Sequence, residues 1–369
     1  MATMSAAELP RVAAGRIAVT RLYDLAYAVD LEQVERDVRE SATRLSLSRA
    51  KPRAVYYARP PVDVALGQAT LSLASATVQA DVRARIYDFG AVRLSYEVAV
   101  QQIPWLAYVE LANEMEATFD RAGPWDSDLA RVRDLIARAL EKPTVPGLQV
   151  DYLFATIRSF DPPLLAEEVL ARLDLVPLLT GDTRPLSERA RHDAVSHAYS
   201  YYADDLVVID SSRALILEPG PEADVADVLA VAHAQLLELW YYNERLDAEL
   251  PRMYDRIERA RETFAGLARR RYAALARSLH ALLAEVTEVA ERVENALVVT
   301  EDVYLAKVYE AALEHFRVRD WEAAVDRKLA IIRDTYTALY DEATSARAEY
   351  LEMAIVLLIV LEIVLAFLL

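Results

Sequence analysis

Residues 78–98 read VQADVRARIYDFGAVRLSYEV, and this stretch decides the fold class of the first half of the chain. On both sides of Asp88-Phe89-Gly90, apolar and charged residues alternate. A period of two is typical of a strand that buries one face, and a glycine between two such runs favours a turn or a bulge. The stretch therefore predicts two half-buried strands joined around Asp88-Phe89-Gly90.

The flanking sequence extends this pattern into an α+β unit. Further strands rich in Val, Ile and Tyr are predicted at 16–30, 54–58, 62–67 and 69–73. Residues 31–45 carry apolar positions at helical spacing, and two amphipathic helices are expected between 104 and 140, separated at Gly123-Pro124.

A second α/β stretch follows the Pro- and Gly-containing segment 143–147. QVDYLFATIRSF (149–160) predicts a strand, and LLAEEVLARL (164–173) predicts a helix. Residues 197–219, HAYSYYADDLVVIDSSRALILEP, predict a β-hairpin whose turn is Asp210-Ser211-Ser212.

After Pro219 the pattern becomes helical. A long helix is predicted at 222–250, broken or kinked at Pro251. Two later runs place apolar or small residues in alternating steps of three and four, which is typical of a coiled-coil seam. The first seam is Tyr272, Leu275, Leu279, Leu282, Val286, Val289, Val293 and Ala296; the second is Val325, Leu329, Ile332, Tyr336, Leu339, Ala343, Ala346 and Tyr350. With a helix cap at Thr300 between them, the two seams predict an antiparallel helical hairpin.

The chain ends in MAIVLLIVLEIVLAFLL (353–369), in which Glu362 is the one polar residue. Such a helix is about 25 Å long, close to the lower limit for crossing a bilayer core of about 30 Å. We expect it in or against a membrane, with Arg347 and Glu352 near the interface and Glu362 as an intramembrane polar contact between copies. The alternative is a buried helix in a soluble oligomer.

Together these patterns predict an α+β protein. A mixed α/β head is followed by a long antiparallel helical hairpin, or coiled-coil stalk, that ends in an apolar membrane helix. Leu329, Ile332, Tyr336 and Leu339 represent the stalk seam. The expected organisation is a loose tail at 1–15, an α+β unit at 16–145, a second α/β unit at 146–220, long helices and the hairpin at 221–350, and the membrane helix at 351–369.

Composition excludes several function classes. There are no Cys residues, so disulfides and cysteine nucleophiles are absent. A net charge of −17 argues against direct nucleic-acid binding. No phosphate-binding glycine motif, GxSxG or HExxH occurs. We therefore expect a protein that is not an enzyme, with no catalytic, cofactor-binding or metal-binding residues and no cofactor.

Two local groups leave other chemistry open. Asp204, Asp205 and Asp210 in YYADDLVVID have the oxygen ligands that a hard cation prefers, although polar strand ends and a turn explain them as well. The run Arg269-Arg270-Arg271 suits anionic headgroups or phosphates, or a solvated coiled-coil face.

The C-terminal half carries a pattern made of Arg347, Glu349, Leu351, Glu352 and Glu362, and two upstream segments read IYDFGAV (86–92) and YYADDLVVID (201–210). In these features, over about residues 50–369, the chain resembles the family of "required for meiotic nuclear division" proteins, which has bacterial members and mitochondrial inner-membrane members. It implies a conserved domain of unknown function that is anchored by a C-terminal helix and is often oligomeric. In mitochondria the family is linked to translation at the inner membrane.

From these features we expect a non-enzymatic, oligomeric, membrane-anchored scaffold or tethering protein with a cytoplasmic head. The expected location is the bacterial inner membrane, with a single C-terminal anchor. Its partners would be the lipid bilayer, further copies of itself and an unknown protein. The alternative is a channel-like or ion-transport assembly with one membrane helix per chain, and a metal-dependent enzyme built on Asp204, Asp205 and Asp210 is a third possibility.

Overall fold

The computed structural model describes residues 9–38, 42–44, 55–57, 59–144, 147–182, 184–220, 224–261, 265–294, 297–299 and 303–368. These residues form a mixed α/β protein with two compact units. Unit 1 comprises Met1–Glu238 and Glu291–Arg319, and unit 2 comprises Leu239–Ala290 and Asp320–Leu369.

Thirteen strands occur among the described residues. They are β1 (Arg11–Asp24), β2 (Ala26–Val29), β3 (Ala42–Arg44), β4 (Val55–Tyr57), β5 (Val62–Ser72), β6 (Thr77–Ile86), β7 (Ala91–Pro104), β8 (Leu140–Pro143), β9 (Gln149–Asp161), β10 (Ala198–Tyr199), β11 (Leu206–Ile209), β12 (Arg213–Leu217) and β13 (Leu297–Val299). Nine of them form one sheet in the order β10-β11-β12-β9-β1-β7-β6-β5-β3, in which only the β12–β9 pair is parallel.

The helices of the described chain are α1 (Leu31–Asp37), α2 (Trp105–Ala122), α3 (Trp125–Leu135), α4 (Ala166–Arg172), α5 (Val176–Thr180), α6 (Glu188–Ala194), α7 (Asp224–Arg261), α8 (Ala265–Glu294), α9 (Val303–His315) and α10 (Val318–Leu368). The unit boundary falls inside α7 and again inside α8. Unit 1 therefore contains the whole sheet, and unit 2 is helical.

The strand pair predicted from residues 78–98 is confirmed. β6 and β7 pair in antiparallel register from Ile86↔Val92 outward, and the turn between them contains Gly90 at φ +103°. A Cβ at Gly90 would collide with the carbonyl oxygen of Ala26, so no other residue fits there without moving the backbone. The hairpin predicted at 197–219 is also present, because β11 and β12 pair on either side of Asp210-Ser211-Ser212.

The first face of the sheet is apolar. Ile17 and Val19 of β1 point to this face and belong to the main hydrophobic core, together with Trp105 and Tyr108 of α2. The Tyr108 hydroxyl donates to the carbonyl oxygen of Arg16 at 3.2 Å, which fixes α2 against the centre of the sheet.

The second face carries the alternate residues and meets the N-terminal part of α7. Thr20 of β1 is 4% exposed, and its hydroxyl donates to the Tyr152 carbonyl oxygen of β9 at 2.9 Å. The ring of Tyr152 lies 4.1 Å from that of His233 in α7. Both α/β stretches expected at 16–145 and 146–220 therefore share this sheet, since β9 pairs with β1 along twelve positions.

Unit 2 consists of the distal part of α7, most of α8 and most of α10. The indole rings of Trp240 and Trp321 are 5.8 Å apart, and Lys328 Nζ lies 2.5 Å from Asp247 Oδ1. Asp247 follows Trp240 on α7, and its partner Lys328 likewise follows Trp321 on α10. The two helices therefore run parallel. The expected two-armed hairpin is thus a three-helix unit, and β13 and α9 separate its α8 and α10.

Two helical expectations are wrong. First, α7 is not broken at Pro251, because it continues through this residue to Arg261. Second, no helix among the described residues is long and apolar enough to cross a membrane, so the expected membrane-helix ending is not supported. Residues 353–369 form seventeen positions interrupted by Glu362, fewer than the roughly 20 that a span requires. The inner-membrane location and the bilayer partner, which were inferred from that helix, stay predictions that no observation tests.

Candidate functional site

A buried ion-pair network lies on the second face of the sheet in unit 1. Arg85 of β6 stands opposite Asp63 of β5, and its Nε and Nη2 atoms donate to the two Asp63 carboxylate oxygens at 2.7 and 2.9 Å. Its Nη1 atom donates to Asp227 of α7. Burial alone would lower the pKa of Arg85, but the charges of Asp227 and Asp63 outweigh it and hold that pKa well above its ordinary value. The network therefore ties α7 to the sheet with a permanent charge.

A second buried group of charges lies at the end of β1. Asp24 is 6% exposed and Glu238 of α7 is 4% exposed. Burial raises the pKa of Glu238 well above its ordinary value, the charge of Asp24 raises it further, and Arg292 opposes both. Its surroundings therefore favour the protonated form of Glu238. Its Oε1 atom has no hydrogen-bond partner in the described part of the chain.

His233 is buried on the same face of α7. Burial lowers its pKa to about 3, and although a hydrogen bond to the Leu229 backbone opposes this, nearby Arg93 lowers the pKa further. The ring lies 4.0 Å from Phe316 and 4.1 Å from Tyr152, centroid to centroid. This imidazole is 4% exposed and packs against two aromatic rings that also contact each other, as a packing group does.

The His197–His315 pair is the group closest to an acid–base arrangement. Their rings are 4.5 Å apart, and His315 Nε2 lies 3.9 Å from Asp210 Oδ1, beyond hydrogen-bond distance. Burial and His197 lower the pKa of His315, whereas Asp210 raises it. The pair lacks the close contacts that activate a nucleophile.

The acidic set Asp204, Asp205 and Asp210 does not form a metal site in the described structure, where no group of three or more His, Cys, Asp or Glu residues is arranged to hold a metal ion. The Asp205 carboxylate instead accepts from the backbone N–H groups of Tyr201 and Tyr202 at 2.7 and 3.1 Å. Asp210 sits in the β11–β12 turn, where its N–H donates to the Arg213 carbonyl oxygen at 2.8 Å.

An interior arginine clamp fixes the first face of the sheet. Arg213 of β12 is 3% exposed and donates to both Glu116 oxygens on α2, with one Nη2 contact very short. Its Nη1 atom donates to Asn113 Oδ1 at 2.5 Å and to the Leu178 carbonyl oxygen at 2.7 Å. These contacts hold α2 and α5 in fixed positions beside each other.

A groove of about 800 Å³ runs along the outer side of α2. The β5–β6 connection forms one wall, the start of α5 forms the other, and α2 is the floor. Leu106 is 53% exposed there, and Glu110 and Glu114 occupy the same helix face one turn apart. We call this feature the α2 groove; its lining is Ser72, Ala74, Trp105, Leu106, Val109, Glu110, Asn113, Glu114, Ala117, Thr118, Asp174 and Pro177.

The second exposed feature is the end of α10 in unit 2. Six consecutive side chains at 355–360, together with Ile363, are each 49–64% exposed. At 100° per residue, six consecutive positions surround the helix completely. We call this segment the α10 apolar end; its described exposed members are Ile355, Val356, Leu357, Leu358, Ile359, Val360 and Ile363.

The residues predicted from sequence fall into three groups. The stalk-seam residues Leu329, Ile332 and Leu339 are buried, and the Tyr336 ring lies 5.7 Å from that of His280 on α8. Glu362 is exposed on α10. The side chains of residues 347 and 352, as well as those of the arginine run at 269–270, lie outside the described residues.

Sequence reasoning missed the buried ionisable residues of α7. Asp227, His233 and Glu238 interrupt a helix that is otherwise almost entirely apolar, in ADVLAVAHAQLLELW (226–240). A charged residue surrounded by apolar neighbours on a helix is the available signal, because such a residue needs a buried partner. The partner of Asp227 is Arg85, on a strand that is 142 positions away.

Comparison with known proteins identifies relatives without an established function. The family described as "Uncharacterized protein MJ0711, N-terminal domain" matches residues 14–224. The uncharacterized protein MJ0711 of Methanocaldococcus jannaschii is 25% identical over 193 residues, which cover 52% of this chain and 58% of that relative. The chain thus spans less than two thirds of the relative, and no solved structure matches it.

These matches support the coarser expectation, a conserved domain of unknown function. They say nothing about the "required for meiotic nuclear division" family. The matched range contains the sheet, the α2 groove and the Arg213 clamp, but neither His233 nor the α10 apolar end.

Proposed function

The chain belongs to the family of the MJ0711 N-terminal domain, and we propose that it is a non-enzymatic, homo-oligomeric scaffold or tethering protein. In this proposal copies assemble through the α10 apolar end, and the α/β unit presents surfaces to other proteins. The α10 apolar end is the observation that carries the proposal. The buried titratable groups support a structural role, because Arg85 is paired on both sides and His233 is packed between rings.

The exposed apolar surface is large enough to drive self-association. Burying a whole Val, Leu or Ile side chain yields about 1.5–3 kcal/mol. Since the seven members are about half exposed, covering the remainder is worth roughly 1 kcal/mol each, or about 7 kcal/mol per copy. Complete covering of the segment in two copies would supply at most about 14 kcal/mol against an association cost of about 4–15 kcal/mol, and a single partner helix covers only one side of the segment. Further copies would improve this balance, because a helix that is apolar on all sides needs neighbours on all sides.

The mass of the assembly tests the proposal. We expect sedimentation and light scattering to give the full-length chain a mass that is a multiple of 41.4 kDa. The double variant Leu357→Glu/Ile359→Glu should shift the mass to that of one chain. Tyr340→Gln is the matched control, since Tyr340 is 57% exposed on the same helix but outside the α10 apolar end.

Two results would overturn the proposal. One is a single-chain mass for the unmodified protein throughout the micromolar range. The other is an oligomer whose mass the double variant leaves unchanged. A protein with the mass of one chain that floats with phosphatidylcholine vesicles would also contradict the proposal, because lipid rather than a second copy would then cover the α10 apolar end.

A further inference from the structure

The α2 groove combines an apolar floor with an acidic rim. Leu106 supplies exposed apolar surface on the helix above the buried Val109, and the exposed Ala117 lies two to three turns further along the same face. Glu110 and Glu114 stand between them, and Asp174 faces the groove from the start of α5.

The acidic residues differ in how far their charges are already satisfied. Glu114 accepts from Ser75 Oγ at 2.6 Å and from the Ser75 N–H at 3.1 Å, which fixes the β5–β6 connection against α2. Asp174 Oδ1 accepts from Arg191 at 3.0 Å and from the Val176 N–H at 3.2 Å. Glu110 is exposed and has no ion-pair partner in the described part of the chain.

These contacts define what fits the groove. Hydrogen bonds from serine and from backbone N–H groups hold the rim in place without neutralising Glu114, so its position is set before any partner arrives. An unpaired Glu110 and a hydrogen-bonded Glu114, one turn apart, attract two cationic side chains at the same spacing. Because Leu106 is exposed, the partner segment also needs an apolar side chain, between or beside its two cationic side chains, to cover it.

We propose that the α2 groove binds a basic amphipathic segment of a partner protein. Lys or Arg side chains of the segment pair with Glu110 and Glu114, and its apolar face covers Leu106. Charge complementarity identifies the partner, since the groove is acidic in a chain whose net charge is −17. The inference extends the proposed scaffold by giving the chemistry of one partner, and it does not depend on the α10 apolar end.

The probe is an 18-residue amphipathic peptide of Leu and Lys, and its matched control has Glu in place of every Lys. We expect calorimetry with the full-length protein to show binding of the Leu/Lys peptide and no binding of the peptide that has Glu in place of Lys. Glu110→Lys should weaken its binding at least tenfold, and Leu106→Asp should do the same. Asp120→Lys changes the charge equally on an exposed position of α2 outside the groove, so it should change binding less than threefold.

Cross-linking locates the bound peptide. A photoreactive phenylalanine on its apolar face should attach within α2 or within the flanking segments 72–74 and 174–177. Equal binding of both peptides, or equal weakening by Asp120→Lys and Glu110→Lys, would overturn the inference. Cross-links confined to other elements would do so as well, including links to a second copy of the chain.

The scaffold proposal and this inference fail separately. The Leu357→Glu/Ile359→Glu variant should bind the Leu/Lys peptide with unchanged affinity, because its substitutions lie in unit 2. Loss of assembly with retained peptide binding would leave the groove assignment intact. Retained assembly without peptide binding would refute the groove assignment alone.

Discussion

Replacing Arg85 with Met gives a direct test of the buried ion-pair network. The guanidinium donates to both oxygens of Asp63 and to Asp227. The side chains are 11% exposed for Arg85, 21% for Asp63 and 5% for Asp227. Met retains most of the aliphatic volume of Arg85 but removes its charge. The Asp227 carboxylate would then be buried without the cation that now balances it.

The expected loss of stability follows from this burial. Removing one partner of a buried ion pair costs about 3–5 kcal/mol, because the remaining charge is left without compensation. Asp63 is partly accessible to water and recovers some solvation, whereas Asp227 does not. We therefore expect a loss of about 4 kcal/mol, a large share of the roughly 5–15 kcal/mol that stabilises a typical domain.

Arg36→Met provides the exposed comparison. Arg36 lies 3.7 Å from Asp30 and 3.9 Å from Glu32, and all three side chains are 49% exposed or more. Surface ion pairs contribute about 0–1 kcal/mol, because water and salt screen them. This variant should therefore lose less than about 1 kcal/mol.

Hydrogen exchange in increasing urea is the suitable assay. Because the chain has two compact units, one unfolding transition of the whole chain does not give the free energy of unfolding of unit 1. The slowest-exchanging amides of β6 and β7 report on the unfolding of unit 1 itself. The double variant Arg85→Met/Asp227→Leu should recover much of the loss, since it removes the stranded carboxylate. A loss in Arg85→Met no larger than that in Arg36→Met would refute the reasoning.

Two further predictions concern buried titratable groups with opposite effects of pH. The pKa of His233 is about 3 in the folded state and 6.5 in the unfolded chain, so between these pH values only the unfolded state binds the extra proton. Stability therefore falls by about 1.4 kcal/mol for each unit by which the pH is lowered through that window. His233→Phe should flatten this pH dependence, measured by hydrogen exchange of unit 1 amides at pH 7 and 4.5, and an unchanged slope would contradict the low pKa. The pKa of Glu238 is raised well above 4.5 in the folded state, so as the pH rises the unfolded chain releases this proton first and the folded state loses stability above pH 4.5. Glu238→Gln, which does not titrate, should therefore be more stable than the parent chain at pH 7. Equal or lower stability of this variant would contradict the raised pKa.

Local pattern was sufficient for the strands next to the sequence that decides the fold class. Alternation around Asp88-Phe89-Gly90 predicted β6 and β7, and the polar turn at 210–212 predicted β11 and β12. These pairs form between neighbours in sequence, so their side-chain period and turn residues carry nearly all the information. The expected membrane-helix ending is not supported, because residues 353–369 are fewer than the roughly 20 apolar residues that a span requires and Glu362 interrupts them.

Contacts between distant segments could not be predicted in this way. The pairing of β9 with β1 joins residues more than 120 positions apart, and nothing local in QVDYLFATIRSF specifies that neighbour. The α2 groove is likewise assembled from three separated segments around Leu106, Glu110 and Asp174. Sequence spacing places Glu110 and Glu114 on one helix face, but it does not show that their face borders a cleft.

The sequence by itself determined the alternating strands around Gly90, the turn at 210–212, the helical second half and the apolar character of residues 353–369. Each depends on periodicity or on conformational limits that act over a few residues. Only the tertiary structure decided that one sheet unites both α/β stretches, that Arg85 meets Asp227, and that the side chains of 355–360 and 363 are left exposed. Burial and ion pairing depend on which distant surfaces meet, and the β-strand period specifies a face without specifying the partner that covers it.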